Sequence, residues 1–417
     1  MLLILRQVLI VTLILFIMGI FSPSSAGAEA EKAENLIQSK NITVENTEEV
    51  EDKEIYEEMI KEMDLDSLAG WEDVERHWFE MENEMEEYLP SWDIENIWRE
   101  EGFPLDLTEV FRGLINFLFS EVIANLALMG KLLLLAVSAS LLKNLQYTFK
   151  GQEVSDLTEK VVFFIMLALA LGSFTLAVEN GREAIESMVV FMKALIPVLL
   201  TLLASLGHVT SASLFHPVIV FAVNVIASII NNIILPLIFF TTILYMVNHI
   251  STSFKVSHIA GLLKDITTWS LGIILTLFTG FTAIQGVAGG IGDALTLRTA
   301  KYLSGTFIPV VGKMMADAVE MVFGYSMLLK NSATIGGLII LAFMVFFPLL
   351  KILALVLIYR FCAALIQPLG ETSLGEALND MGNCLILVFA AVATVALTFF
   401  IAVAIIAGAS NAVMMLR

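Results

Sequence analysis

Cysteine is nearly absent: the 417-residue chain holds two, Cys362 and Cys384, both in apolar surroundings. Two such thiols exclude a disulfide framework and a cysteine-based zinc site. Charge is scarce as well. Charged residues make up 16% of the chain and apolar ones 58%, whereas soluble domains lie near about a quarter and about a half. Basic residues are the rarer sign, 23 against 42 acidic ones, which removes the basic footprint that nucleic-acid binding needs. Catalytic signatures are missing too. The chain has no phosphate-binding loop of the G-x-x-x-x-G-K-[ST] kind, no H-E-x-x-H and no G-x-S-x-G. His249 and His258 are nine apart beside Lys255, which is poor spacing for a metal. The glycines of 280–292 follow no strand and precede no ribose-binding acid, so they are no dinucleotide fingerprint. No enzyme activity, cofactor or metal is expected.

What is present is unevenly spread. Residues 1–110 hold 28 of the acidic and 7 of the basic residues, leaving 14 and 16 for the rest of the chain. An acidic head of net −21 therefore precedes an apolar body of net +2. Runs of roughly 20 apolar residues in that body call for membrane spans. The expected fold is an all-α, polytopic membrane helix bundle over 111–417, behind a small acidic helical region.

Residues 1–28 read as an export signal. Arg6 precedes a short apolar run, and Ala26-Gly27-Ala28 supplies small residues for cleavage; an uncleaved anchor is the alternative. Either way Arg6 keeps the start of the chain inside and sends the acidic head across the membrane. Residues 29–53 are polar and lack aromatics, which predicts a disordered tether. Over 54–110, Trp71, Val74, Trp78, Met81, Met85 and Tyr88 recur at helical spacing with acids between them. This stripe either packs on its own surroundings or docks a partner through Trp71, Trp78, Met81 and Met85. Its acidity favours a protein over anionic lipid.

In the body, apolar segments near 112–142, 161–178, 187–206, 214–233, 235–250, 267–290, 303–328, 333–347, 349–366 and 384–409 give an expectation of seven to nine crossings. Prolines suggest a repeat. Pro197 precedes Pro236 by 39 residues, and Pro309 precedes Pro348 by the same 39, at an offset of 112. The four prolines are read as helix breaks, and the two copies as about 160–290 and 270–410. The offset lays Lys313, Asp317 and Glu320 on Thr201, Ser205 and His208. Three crossings per copy would make the repeat inverted, the plan of many transporters; four would make it parallel. Lysine and arginine counts satisfy the positive-inside tendency in both arrangements.

Polar residues at membrane depth are the only site candidates, because a charge at the centre of a bilayer costs about 2.5–3.5 kcal/mol even on the lenient scale. Lys313, Asp317 and Glu320 share a helical face. Asn224 and Asn231 lie in a polar strip with Ser228 and Asn232. Glu121 and Asn125 are one turn apart. Each set either lines a polar path or holds helices together by hydrogen bonds.

The stretches 160–178, Glu179-Asn180-Gly181-Arg182, Lys193-Ala194-Leu195-Ile196-Pro197, Phe215-His216-Pro217-Val218, Ile366-Gln367-Pro368-Leu369-Gly370 and Leu378-Asn379-Asp380-Met381-Gly382-Asn383 resemble the stage III sporulation protein AE family. They recur in order along about 130–410, and the layout of signal, acidic head and polytopic body is similar. The resemblance implies an endospore-forming bacterium and synthesis in the mother cell. It implies residence in the outer of the two membranes around the forespore. The implied partners are the companion proteins AA to AH, including an ATPase, and indirectly the forespore protein Q, in a secretion-like channel active during engulfment. The expected role is that of a non-enzymatic membrane subunit of this channel. A stand-alone secondary transporter on inverted repeats and a passive scaffold are the alternatives.

Overall fold

A computed structural model describes residues 76, 79, 107–149, 152–250, 256–307, 312–369 and 372–414, all within one unit, Asp64–Arg417. Side-chain surroundings are described for 76, 79, 108–141, 160–249, 256–293, 295, 326, 327, 329–331, 333–369 and 373–408. The expected signal, tether and tryptophan stripe, with Trp71, Trp78, Met81 and Met85, lie outside these residues, as does Pro309.

The described chain is helical, with no strand. The helices are α1 (Leu107–Ala124), α2 (Leu126–Phe149), α3 (Gln152–Ser205), α4 (Val209–Ile229), α5 (Leu235–Ile250), α6 (Ser257–Phe307), α7 (Gly312–Ile366) and α8 (Thr372–Met414). A π-helical segment, Ile230–Ile234, joins α4 to α5, and a 3-10 turn, Gln367–Leu369, follows α7. Five runs are long and apolar enough to cross a membrane: Lys160–Ser205, Val209–His249, Ser257–Asp293, Leu329–Leu369 and Ser373–Gly408. The α1–α2 pair, bent by 44° at Asn125, adds a sixth.

Among the described residues this makes five or six such runs, against the seven to nine crossings expected. The 161–178 and 187–206 segments are one helix, α3, and the 333–347 and 349–366 segments both belong to α7. Polar residues at 179–186 and Lys330 separate the apolar segments in the sequence. Glutamate, arginine and lysine are good helix formers, however, and their charges alone interrupt no backbone hydrogen bond.

The prolines are corrected as well. Pro197 lies inside α3 and Pro348 inside α7, so neither ends its helix. Each removes one backbone donor, a defect that membrane helices tolerate when neighbours re-satisfy the freed carbonyl. Pro236 differs. Immediately before it the helix widens, with the Leu235 N–H donating to the Ile230 carbonyl five residues back. The widened turn leaves room for the pyrrolidine ring, which clashes with the preceding turn of an ordinary α-helix.

A true break does occur between α3 and α4. Gly207 has φ 78°, its N–H donates to the Ala204 carbonyl (2.9 Å), and the His208 N–H donates to Leu203 (3.2 Å). This is the paired closure in which glycine takes the left-handed position at no steric cost.

Helices α3, α7 and α8 pack against one another at the centre. Phe174, Phe191, Tyr359 and Phe399 are fully buried. Helices α1 and α2 lie on α7 and α3, whereas α6 lies on α8, α5 and α4, so the two sets occupy opposite flanks. α3 runs antiparallel to α7: the Ser173 hydroxyl meets Tyr359, Gly181 lies on Ile352, and Leu195 lies on Gly337. α8 is also antiparallel to α7, with Gly382 on Tyr359 and Lys330 bonded to Ala407. The α1–α2 pair runs parallel to α7, with Phe117 edge-on to Phe347 and Ser140 bonded to Leu369.

Candidate functional site

These pairings sort the polar residues into three levels. At the upper level the Schellman turn delivers His208 to Asp293 of α6, with Nδ1 and Oδ2 3.2 Å apart. The other oxygen of Asp293 accepts from the Thr210 (2.9 Å) and Ser211 (3.2 Å) amides. Asp293 therefore caps α4 from a different helix, satisfying amides that have no partner within α4 itself. The two side chains are 7% and 0% exposed. Close approach makes this possible: a Cβ on Gly289 would stand 3.1 Å from the Ser211 Cα, and one on Gly292 2.7 Å from the Thr210 Cγ2. Lys330, also fully buried, donates to the Ala407 carbonyl of α8. Leu195 against Gly337 puts Lys330 within about a turn of Ser205 and hence of His208.

The middle level collects several predicted residues. Gly181 on Ile352 sets Arg182 level with Lys351. Phe117 on Phe347 sets Glu121 at the same height. Phe174 near Phe239 (ring centroids 6.2 Å apart) brings Asn231 of the π-helical segment there too. Arg182 reaches Glu179 at 3.9 Å. The Arg182 Nε and the Asn231 Oδ1 are buried with no hydrogen-bond partner. Glu179, Glu183 and Lys351 are exposed, so this level reaches from partly buried side chains to the outer surface of the bundle.

The lower level is built on His249, at the far end of the helical run that begins at Val209. Its Nε2 is 3.0 Å from Asp380 of α8 and its Nδ1 4.0 Å from Glu376. The Ser373 hydroxyl donates to the His249 carbonyl (3.4 Å). Arg360 of α7 donates to Asn383 (3.2 Å). Beside Arg360, Tyr359 donates to the Ala170 carbonyl (2.8 Å) and shares a short hydrogen bond with Ser173.

The predicted residues do not converge on one path. Asn125 donates to the Glu121 carbonyl (2.9 Å) and Asn224 to the Val220 carbonyl (2.7 Å), each within its own helical run. Asn224 stands two turns above the middle level. The backbone is helical through Lys313, Asp317 and Glu320, so their spacing keeps its period. Their side chains lie outside those described. The His208–Asp293 and His249–Asp380 pairs were missed because their partners are 85 and 131 residues apart in sequence. The only local signal was an aspartate directly after a run of glycines.

A family model described as Stage III sporulation protein AE matches residues 93–410. The chain is 41% identical over 309 residues to the Stage III sporulation protein AE of Bacillus subtilis (strain 168), covering 74% of this chain and 77% of that one. No solved structure matches it. With a family match that takes in nearly every described helix, the chain belongs to the stage III sporulation protein AE family and serves sporulation.

Proposed function

We propose that the chain is an integral membrane subunit of the channel that joins mother cell and forespore, without chemistry of its own. It sits in the outer forespore membrane with its acidic region in the space between the membranes. There it meets companions of the AA to AH set, and an ATPase among them supplies the energy. The observation that carries this reading is the family match over 93–410, which spans the polytopic bundle from α1 to the end of α8. The apolar runs fit a multi-pass subunit. The excess of acids over 1–110 fits an exported, water-facing region that docks protein.

A stand-alone secondary transporter is the second reading. It is favoured by the widened turn at Ile230–Ile234, in mid-run, with the unpartnered Asn231 oxygen. Irregular turns in membrane helices often carry binding sites.

Deleting 29–105 behind an intact signal separates the two. In a spore former lacking its own copy, a docked subunit loses heat-resistant spores while its membrane level stays normal. Full spore counts from the truncated chain would favour the transporter.

A further inference from the structure

The bundle is too tall for one bilayer. Its five apolar runs are 46, 41, 37, 41 and 36 residues long, or about 54–69 Å at about 1.5 Å per residue, against about 30 Å of hydrocarbon. The three polar levels say which part matches. Along α7, Lys330 to Lys351 spans 21 residues, about 32 Å, whereas Lys351 to Arg360 spans nine, about 14 Å. The upper interval matches hydrocarbon, and so does the run from Asn231 to His249, 18 residues or about 27 Å. Below Lys351 the bundle exposes large apolar side chains on both flanks, among them Leu134 and Val137 of α2 and Ile266 and Trp269 of α6. A charge set in such a surface needs a partner.

Charge identifies the occupant. Lys131 of α2 and Asp265 of α6 are both exposed, and neither has an ion-pair partner among the described residues. They stand at one height. Lys131 is nine residues before Ser140, whose hydroxyl bonds Leu369, and nine residues before Leu369 is Arg360. Asp265 is 21 residues before Gly286, which lies on Ile405. Twenty-one residues before Ile405 is Cys384, next to the Asn383 that bonds Arg360. The two opposite charges thus lie on opposite flanks, at equal height, each set in apolar surface. Copies inserted in one membrane share height and orientation, so equal height is the condition for pairing.

We infer that copies of this chain associate side by side, the α1–α2 flank of one against the α6 flank of the next, with Lys131 paired to Asp265 across each contact. A two-fold arrangement would set Asp265 against Asp265 or Lys131 against Lys131, which charge disfavours. The contact joins two different surfaces, so it propagates and closes into a ring where the rotation allows.

The test uses two differently tagged full-length copies co-expressed in membranes, one Lys131→Cys and the other Asp265→Cys, treated with a short bis-maleimide. The expected product joins both tags and needs both substitutions, since the native Cys362 and Cys384 are buried. Absence of that product overturns the inference, as does Asp265→Cys linking to itself or to a different protein. Charge reversal is the second arm. Lys131→Glu or Asp265→Lys alone should cut co-purification of the two tags by about tenfold, and combining them in one chain should restore it. Reversal without effect, at equal membrane levels, overturns the pairing. Neither arm reads spore formation, so the outcome stands apart from the channel reading.

Discussion

One helical run, Val209 to His249, is held at its two ends by two histidine–aspartate pairs, and the two ends are built differently. At the upper end Asp293 is fully buried and uses both oxygens, one toward His208 and one on two amides of α4. At the lower end Asp380 is 27% exposed and meets only the His249 ring, with the 72%-exposed Glu376 further off. Buried carboxylates that satisfy several donors are costly to lose, because the donors remain behind without water. A water-accessible pair is worth little. The upper end should therefore govern the stability of the bundle, and the lower end should tolerate change.

The sharpest way to break this contrast is Asp293→Ala. It orphans two amides and takes the carboxylate from the buried His208 Nδ1, and should cost about 3–5 kcal/mol, read as a lowered unfolding midpoint in detergent or as failure to accumulate. Asp293→Asn keeps an acceptor for the amides and should recover most of the loss. Next is Gly289→Val, which drives methyl groups into Ser211 and should cost about 1–3 kcal/mol by overpacking. Tyr359→Phe removes a buried hydroxyl that donates to Ala170 and should cost about 1 kcal/mol in the same melt. Asp380→Ala should cost less than about 1 kcal/mol. If Asp380→Ala proves as damaging as Asp293→Ala, the two ends are equivalent and the contrast fails.

How much of this the chain announces depends on the range over which its residues act. Apolar runs declare membrane helices because a helix satisfies its own backbone, so hydropathy alone places α3 to α8. The error lay in their number. Glu179, Arg182 and Glu183 separate two apolar segments in the sequence, yet they lie within a continuous α3, because charged side chains do not break a helix. Lys330 likewise separates two apolar segments in the sequence, and it is buried within α7 against α8. Pro197 and Pro348 were read as breaks because soluble helices stop at proline, whereas helices that pack in membranes accommodate it. Glu121 and Asn231 are legible as polar residues in apolar runs, but their common height with Arg182 and Lys351 needs the pairing of α1, α3, α5 and α7. Local sequence does not encode that register.

The widened turn at Ile230–Ile234 has a bearing on how this protein tolerates insertions and deletions. Every residue beyond it is turned about 100° from where an uninterrupted α-helix would set it. That offset is what aims His249 at Asp380 and Phe239 at Phe174. Loss of one codon anywhere in the segment would restore an ordinary spiral and swing the whole of α5 out of alignment with its neighbours. Gaps should therefore be purged here far more strictly than substitutions, making five unremarkable letters a fixed phase setting for everything downstream in the run.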